Sequence, residues 1–224
     1  KYFKNIIIII STFLLTQIAF ASAYAASSAN VSLESNLYSD MEFWAAEGLI
    51  ESNLYSIKPF AGSEVGRQLI AALDQCYERE TPSATCRHIQ QYYKKFYAYE
   101  IAEALSPESV SGTFLKPIEK FSVSYQYLSG PFHTYNNEDI HYGKGHNATI
   151  QLQSQARLWK VFSFFVQPAL IYNQHFGNTE EEGSTTDLRL HKGYAKLTLF
   201  NVELLVGRDS LWWGPGYHGA LLMS

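Results

Sequence analysis

Between Asn147 and Asn173 polar and apolar residues alternate for longer than a soluble strand needs, and this pattern constrains the chain more than any other. Asn147, Thr149, Gln151, Gln153, Gln155 and Arg157 fall on one side of an extended segment, and Ala148, Ile150, Leu152, Ala156 and Leu158 on the other, because successive strand side chains point to opposite faces. A second extended run, Val161 to Asn173, places Phe162, Phe164, Val166, Leu170 and Tyr172 together. Trp159 and Lys160 separate the two runs, which predicts an antiparallel hairpin closed by a tight turn. Runs this long suit a transmembrane barrel, whose tilted strands cross the bilayer in roughly 9–11 residues; soluble strands average about 5–6.

The flanking sequence repeats the theme. Phe121, Val123, Tyr125 and Tyr127 alternate with Ser122, Ser124 and Gln126, and the period changes to two from Phe114 onward. Further on, Ala195, Leu197 and Leu199 oppose Tyr194, Lys196 and Thr198, and a turn at Asn201 leads to Val202, Leu204 and Val206. Long polar connections, Gly130 to Gly145 and His175 to Asp187, alternate with short ones, as in outer-membrane barrels with long extracellular loops and short periplasmic turns. Arg157 and Lys196 are expected to face the lumen, since a cation on the lipid face near the midplane costs about 2–4 kcal/mol. The expected lumen is wet and rich in Gln, Asn, Ser and Tyr rather than in charge. About five strands cannot close a barrel that needs at least roughly eight, so the chain reads as the first part of a longer protein. The predicted fold class is mainly β: an outer-membrane antiparallel β-barrel, incomplete in this chain, preceded by a small α-helical periplasmic domain.

The N-terminal third has a different period. Lys1 and Lys4 precede an apolar run, Ile6 to Phe20, and Ala23-Tyr24-Ala25 fits a cleavage site, so residues 1–25 read as a secretory signal peptide. A membrane anchor is the weaker alternative, because Ser11, Thr12, Thr16 and Gln17 interrupt a short run. Leu37, Met41, Trp44, Ala45 and Leu49 have helical spacing, with Gly48 as the stop. Ser63 is the expected cap of a second helix carrying Val65, Leu69, Ala72, Leu73 and Cys76. A third helix is expected from about Arg87 to Leu105, with Lys94, Lys95, Glu100 and Glu103 on its solvated face and Pro107 ending it. The pentapeptide Ser35 to Ser39 recurs at Ser52 to Ser56, too little for a solenoid. Residues 26–112 therefore read as a helical periplasmic domain and 113–224 as barrel strands. In an exported protein, Cys76 and Cys86 are expected to form a local disulfide; His88 alone beside them does not make a metal set.

Composition narrows the chemistry. A net charge of -4 and the lack of a basic cluster argue against a nucleic-acid partner. Aromatic residues make up 15% of the chain, which favours a membrane interface or a carbohydrate surface. No Walker loop, nucleophile elbow, dinucleotide fingerprint or zinc-protease motif occurs. His133, His141, His146, His175 and His218 lack ligand spacing, and Glu180-Glu181-Glu182 reads as a solvated loop. Asn147-Ala148-Thr149 matches a glycosylation sequon but falls within a strand. No catalytic residue, metal or cofactor is expected.

One stretch carries a family signature: Gly207-Arg208-Asp209-Ser210-Leu211-Trp212-Trp213-Gly214-Pro215-Gly216-Tyr217, followed by Leu221-Leu222-Met223-Ser224. It resembles the capsule assembly protein Wzi family, and Glu47-Gly48-Leu49-Ile50, Pro59 and Ser63-Glu64 are similar more diffusely. The resemblance implies an outer-membrane barrel of a Gram-negative bacterium, with a periplasmic helical domain, that binds capsular polysaccharide at the cell surface without catalysis. Its implied partners are that polysaccharide and outer-membrane lipid. The candidate polysaccharide contacts are Trp212, Trp213 and Tyr217 together with Gln151, Gln153, Gln155 and Arg157. Each indole also suits a structural turn or the interfacial aromatic belt. A porin-like channel and, less directly, a barrel hydrolase are the competing readings.

Overall fold

Long strands follow from the period-two sequence, and five of them form one antiparallel meander. The computed structural model describes residues 26–51, 57–130, 142–175, 183–199 and 202–214. Strands β2 (Phe114–Leu128), β3 (Gly145–Leu158), β4 (Phe162–His175), β5 (Gly183–Leu199) and β6 (Val202–Arg208) pair in sequence order. A separate pair joins β1 (Ile57–Lys58) to β7 (Trp212–Trp213). The chain is thus mainly β, with an antiparallel sheet and a helical region. Residues 1–25, the second pentapeptide copy, Glu180 to Glu182, the Asn201 turn and Tyr217 lie outside the described residues.

The predicted antiparallel hairpin forms, with Asn147 opposite Asn173 and Leu158 opposite Phe162. The Val161 amide donates to the Leu158 carbonyl at 3.1 Å, and both central residues, Trp159 and Lys160, have positive φ (53° and 60°). That is the hairpin turn whose twist matches the flanking strands. The long connection expected from His175 to Asp187 is shorter than read, because β4 runs through His175 and β5 starts at Gly183. Thr185, Thr186 and Asp187 pair with Asn173, Tyr172 and Ile171; ladder hydrogen bonds outweigh the turn-like composition of that stretch.

The two faces of the sheet separate by polarity. Val123, Tyr125, Val166, Leu188, Leu204 and Val206 are exposed on one side. Arg157, Ser163, Gln167, Lys192, Lys196 and Thr198 are buried on the other. Arg157 and Lys196 therefore point inward, as the cost of a cation on an apolar face requires. The inner face is more charged and less open than expected, since the helical region packs against it at the short-turn end.

Helix α1 (Leu37–Ala46) ends at Gly48, whose φ of 72° lets the Leu49 amide reach the Trp44 carbonyl at 2.8 Å. Helix α2 (Gly62–Glu78) lacks the expected Ser63 cap. Ser63 sits inside the first turn, and its amide donates to Ser28 Oγ at 2.9 Å. A serine from the preceding strand-like segment does the capping. The single helix expected from Arg87 is instead broken. It runs as α3 (Ala84–His88), a π-helical turn (Ile89–Tyr93), α4 (Lys94–Phe96) and α5 (Ala98–Leu105), with Ser83 accepting from the Cys86 amide. Trp44 packs edge-on to Tyr93 at 5.0 Å over a core of Leu37, Met41, Leu69, Ile89 and Ile101. Cys76 and Cys86 are bonded across a Cα separation of 5.5 Å, tying α2 to α3. Gly66 permits close packing of α2 on α5, since a Cβ there would sit 2.5 Å from the Glu100 carbonyl oxygen.

Candidate functional site: the polar face of the sheet

Alternation on β3 aims Gln151, Gln153, Gln155 and Arg157 at the helical side of the sheet, and each meets a different environment. Arg157 is 1% exposed. Its Nη1 donates to Glu103 Oε2 at 2.7 Å, and its Nη2 donates to the Ser111 carbonyl at 2.9 Å and to the Tyr99 hydroxyl. The guanidinium also lies 5.2 Å from the Tyr99 ring and 5.1 Å from Phe114. Glu103 was expected on a solvated helix face; at 5% exposure it is instead the buried partner of a cation on the polar face of the sheet. Glycan contact by Arg157 would therefore require this cluster to open.

A second cluster gathers on Asn30. Its backbone amide donates to the Tyr194 hydroxyl at 2.8 Å, its side-chain amide donates to Asp209 Oδ2 at 2.7 Å, and its side-chain oxygen accepts from Lys196 Nζ at 2.8 Å. Lys196 also donates to the Ser28 carbonyl at 3.0 Å and pairs with Glu203 at 3.0 Å. Ser27 Oγ donates to Ser163 Oγ at 2.9 Å. The segment before α1 is thus pinned across the sheet, a role that its Ser-rich composition did not signal.

Between these clusters Gln153, Gln167, Phe165, Tyr194 and Lys192 face Asn30 and Asp209 around a cavity of about 40 Å³. Phe165 stacks on Tyr194 at 5.3 Å, and Gln167 Nε2 donates to Gln151 Oε1 at 3.1 Å. Gln155 lines a second cavity of about 30 Å³ beside Tyr99, Glu103 and Ser163. Spaces of this size hold a few waters rather than a sugar ring. They do place amide groups, a cation and two aromatic rings in one wall, the mixture that hydroxyl-rich ligands use.

The indoles lie elsewhere. Trp212 pairs with Lys58 and Trp213 with Ile57, so the motif strand joins the helical region. Trp212 Nε1 donates to the Gly214 carbonyl at 3.1 Å, and Trp213 is 47% exposed. Sequence reasoning thus linked Trp212, Trp213 and the three glutamines, whereas the structure puts them on two separate sheets. It missed Asn30, Gln167, Lys192 and Asp209. Only Asp209 carried a signal, through the Gly-Arg-Asp motif.

Surrounding titratable groups respond to packing. Burial pushes the Tyr97 phenol up to about 12, and burial likewise raises Tyr93 and the Glu100 carboxyl. Burial also acts to raise Glu64, but donation from Arg67 and Gln68 outweighs it and the net shift is downward.

Residues 128–224 match the family model described as capsule assembly protein Wzi. The resemblance drawn from the Gly207–Ser224 motif is borne out over this span. No curated protein matches the chain, and no solved structure does.

Proposed function

We propose that this chain, whose residues 128–224 match the family model described as capsule assembly protein Wzi, is part of a non-catalytic outer-membrane barrel of that family. In this reading it binds capsular polysaccharide and assists capsule assembly or attachment at the surface of a Gram-negative cell. The family match carries the reading, and the division of the sheet supports it. Strands of 14, 14 and 17 residues exceed the bilayer-crossing requirement. Their exposed apolar side is what lipid accepts, while their polar side is what a lumen needs.

Orientation follows from the turns. Lys160, in the short β3–β4 turn, donates from its amide to the Gly112 carbonyl at 2.9 Å and from Nζ to the Pro107 carbonyl. Short turns face the periplasm in barrels of this kind, so the helical region belongs on the periplasmic side. Glycan contact is then assigned to the stretch of the wall beyond the Arg157 cluster, where Gln151 and Gln153 lie in mid-strand, with Trp212 and Trp213 at the helical junction. A porin-like channel is less well supported, because the N-terminal segment and Glu103 already occupy the inner face.

The full-length protein offers the test. Saturable binding to the organism's own capsular polysaccharide, with no unitary conductance in a planar bilayer, is the expected result. Defined conductance without glycan binding replaces this reading with the channel.

A further inference from the structure

Outside the sheet, the segment from Thr81 to Tyr99 combines exposed rings with cations, and the carboxylates that reach it, Glu47 and Asp40, are bonded to Ser83, Thr85 and Tyr93. From Thr81 to Tyr99 the chain carries Arg87, Lys94 and Lys95 and no carboxylate. All three cations are exposed. Along the same helical line Tyr92 stacks on His88 at 5.5 Å with a 21° tilt, and on Phe96 at 5.9 Å with a 14° tilt. Tyr92 is 51% and Phe96 67% exposed, so neither ring belongs to the core. From the neighbouring helix Tyr77, 62% exposed, accepts from Lys94 Nζ at 3.1 Å.

The backbone supplies an independent sign. Ile89–Tyr93 is a π-helical turn. Such turns are rare and recur at functional sites, where an extra residue re-aims side chains. Here the turn lets Tyr93 enter the core against Trp44 while Tyr92 stays outside. A row of co-oriented exposed rings on a monomer marks an interaction surface.

We propose that Tyr77, Tyr92 and Phe96, with Arg87, Lys94 and Lys95, form a second glycan-binding surface, specific for acidic polysaccharide. Ring faces and edges take the C–H faces of pyranoses, and the cations take carboxylates by charge-assisted hydrogen bonds. Three dispersed cations with an aromatic row suit a polymer with one charge per repeat better than a densely charged one. This rests on the polysaccharide-binding reading and adds both a place and a charge class. On the periplasmic side, the surface would meet the polymer before or during its passage to the outer face.

The test uses full-length protein, oligogalacturonate as acidic probe and dextran oligomers as neutral probe, with affinity read by calorimetry at two salt concentrations. Oligogalacturonate should bind more weakly at the higher salt. The pairs Lys94→Gln/Lys95→Gln and Tyr92→Ala/Phe96→Ala should each weaken it at least tenfold, while Lys94→Arg/Lys95→Arg retains binding. Retained helicity and an intact Cys76–Cys86 bond exclude misfolding as the cause. An unmodified protein that ignores oligogalacturonate, or variants that bind it as the parent does, overturns this surface. So does a loss confined to phosphatidylglycerol vesicles, which would make it a lipid contact. Lack of binding to the organism's own capsular polysaccharide sinks the broader functional reading instead, and the two failures are therefore separable.

Discussion

Asn30 and Glu103 show how single side chains tie the helical region to the sheet. Glu103 meets Arg157 at 2.7 Å with both side chains almost wholly buried. A desolvated pair contributes little net stability, yet removing one partner strands the other. Glu103→Ala should therefore cost about 3–5 kcal/mol in chemical denaturation, whereas an apolar replacement of both partners should cost far less. Similar losses for the single and double changes would show that the pair is not buried in solution. Asn30→Ala removes two side-chain hydrogen bonds, one to a lysine whose side chain is fully covered; a loss of about 1–3 kcal/mol is expected. The sequence made Arg157 legible as an inward cation, because lipid would reject it. It did not make Glu103 legible, because helical spacing alone cannot tell a solvated carboxylate from one that awaits a cation 54 residues away. Glu100, by contrast, has no such ion pair among the described residues. Burial raises its pKa, and the Lys116 charge only partly opposes this. Its contribution to stability is present at acid pH and lost as pH rises through the raised value. Glu100→Gln should therefore stabilise the protein at neutral pH, with the gain vanishing below the ordinary carboxylate range. A gain that persists at low pH would point to packing rather than charge.

At the scale of elements, the strands were legible and the helix interruptions were not. Period-two alternation fixes which residues share a face, and the two-residue turn at Trp159 and Lys160 then fixes the register that sets Asn147 opposite Asn173. The π turn at Ile89–Tyr93 gave no such signal, because Ile, Gln and Tyr fit either helix type and the extra residue is selected by tertiary packing of Ile89 and Tyr93. The missing cap of Gly62–Glu78 has a similar cause: Ser28 arrives from 35 residues away. The Cys76–Cys86 bond joins α2 to α3, the helix that leads into the π turn, across a separation of 10 residues. A loop of that length gives about 2–3 kcal/mol in the chain-entropy account. Cys76→Ser/Cys86→Ser should lower the stability of the helical region by that amount. Thiol labelling of the non-reduced parent should leave both cysteines unmodified, and labelling of either would remove the bond from the account. Gly207 tests the motif strand. A Cβ there would lie 2.3 Å from the Gly193 carbonyl oxygen, at a φ of 141°. Gly207→Ala should displace β6 from β5, read as faster amide exchange at Tyr194 and Val206. Unchanged exchange would mean that the backbone is free to adjust.

At the scale of the whole molecule, the apolar side of the sheet separates a membrane barrel from a soluble sheet that lacks a partner. Val166 is 46%, Leu170 38% and Leu204 59% exposed on that side. If water met this face, a lysine there would cost nothing and would improve solubility. In lipid the same change near the midplane costs about 2–4 kcal/mol, falling toward zero at the interface. Position along the strand then becomes the decisive variable. Leu170 lies near the middle of β4, whereas Phe162, on the same face, is its first residue. Leu170→Lys should therefore destabilise the full-length protein folded in vesicles by about 2–4 kcal/mol, and Phe162→Lys by much less. The inner face supplies the control: Gln153→Lys sits in a polar wall and should not follow the depth dependence. Equal, near-zero costs at Leu170 and Phe162 would mean that the outer face is not in lipid, and both the barrel and the surface location of the protein would fall with it.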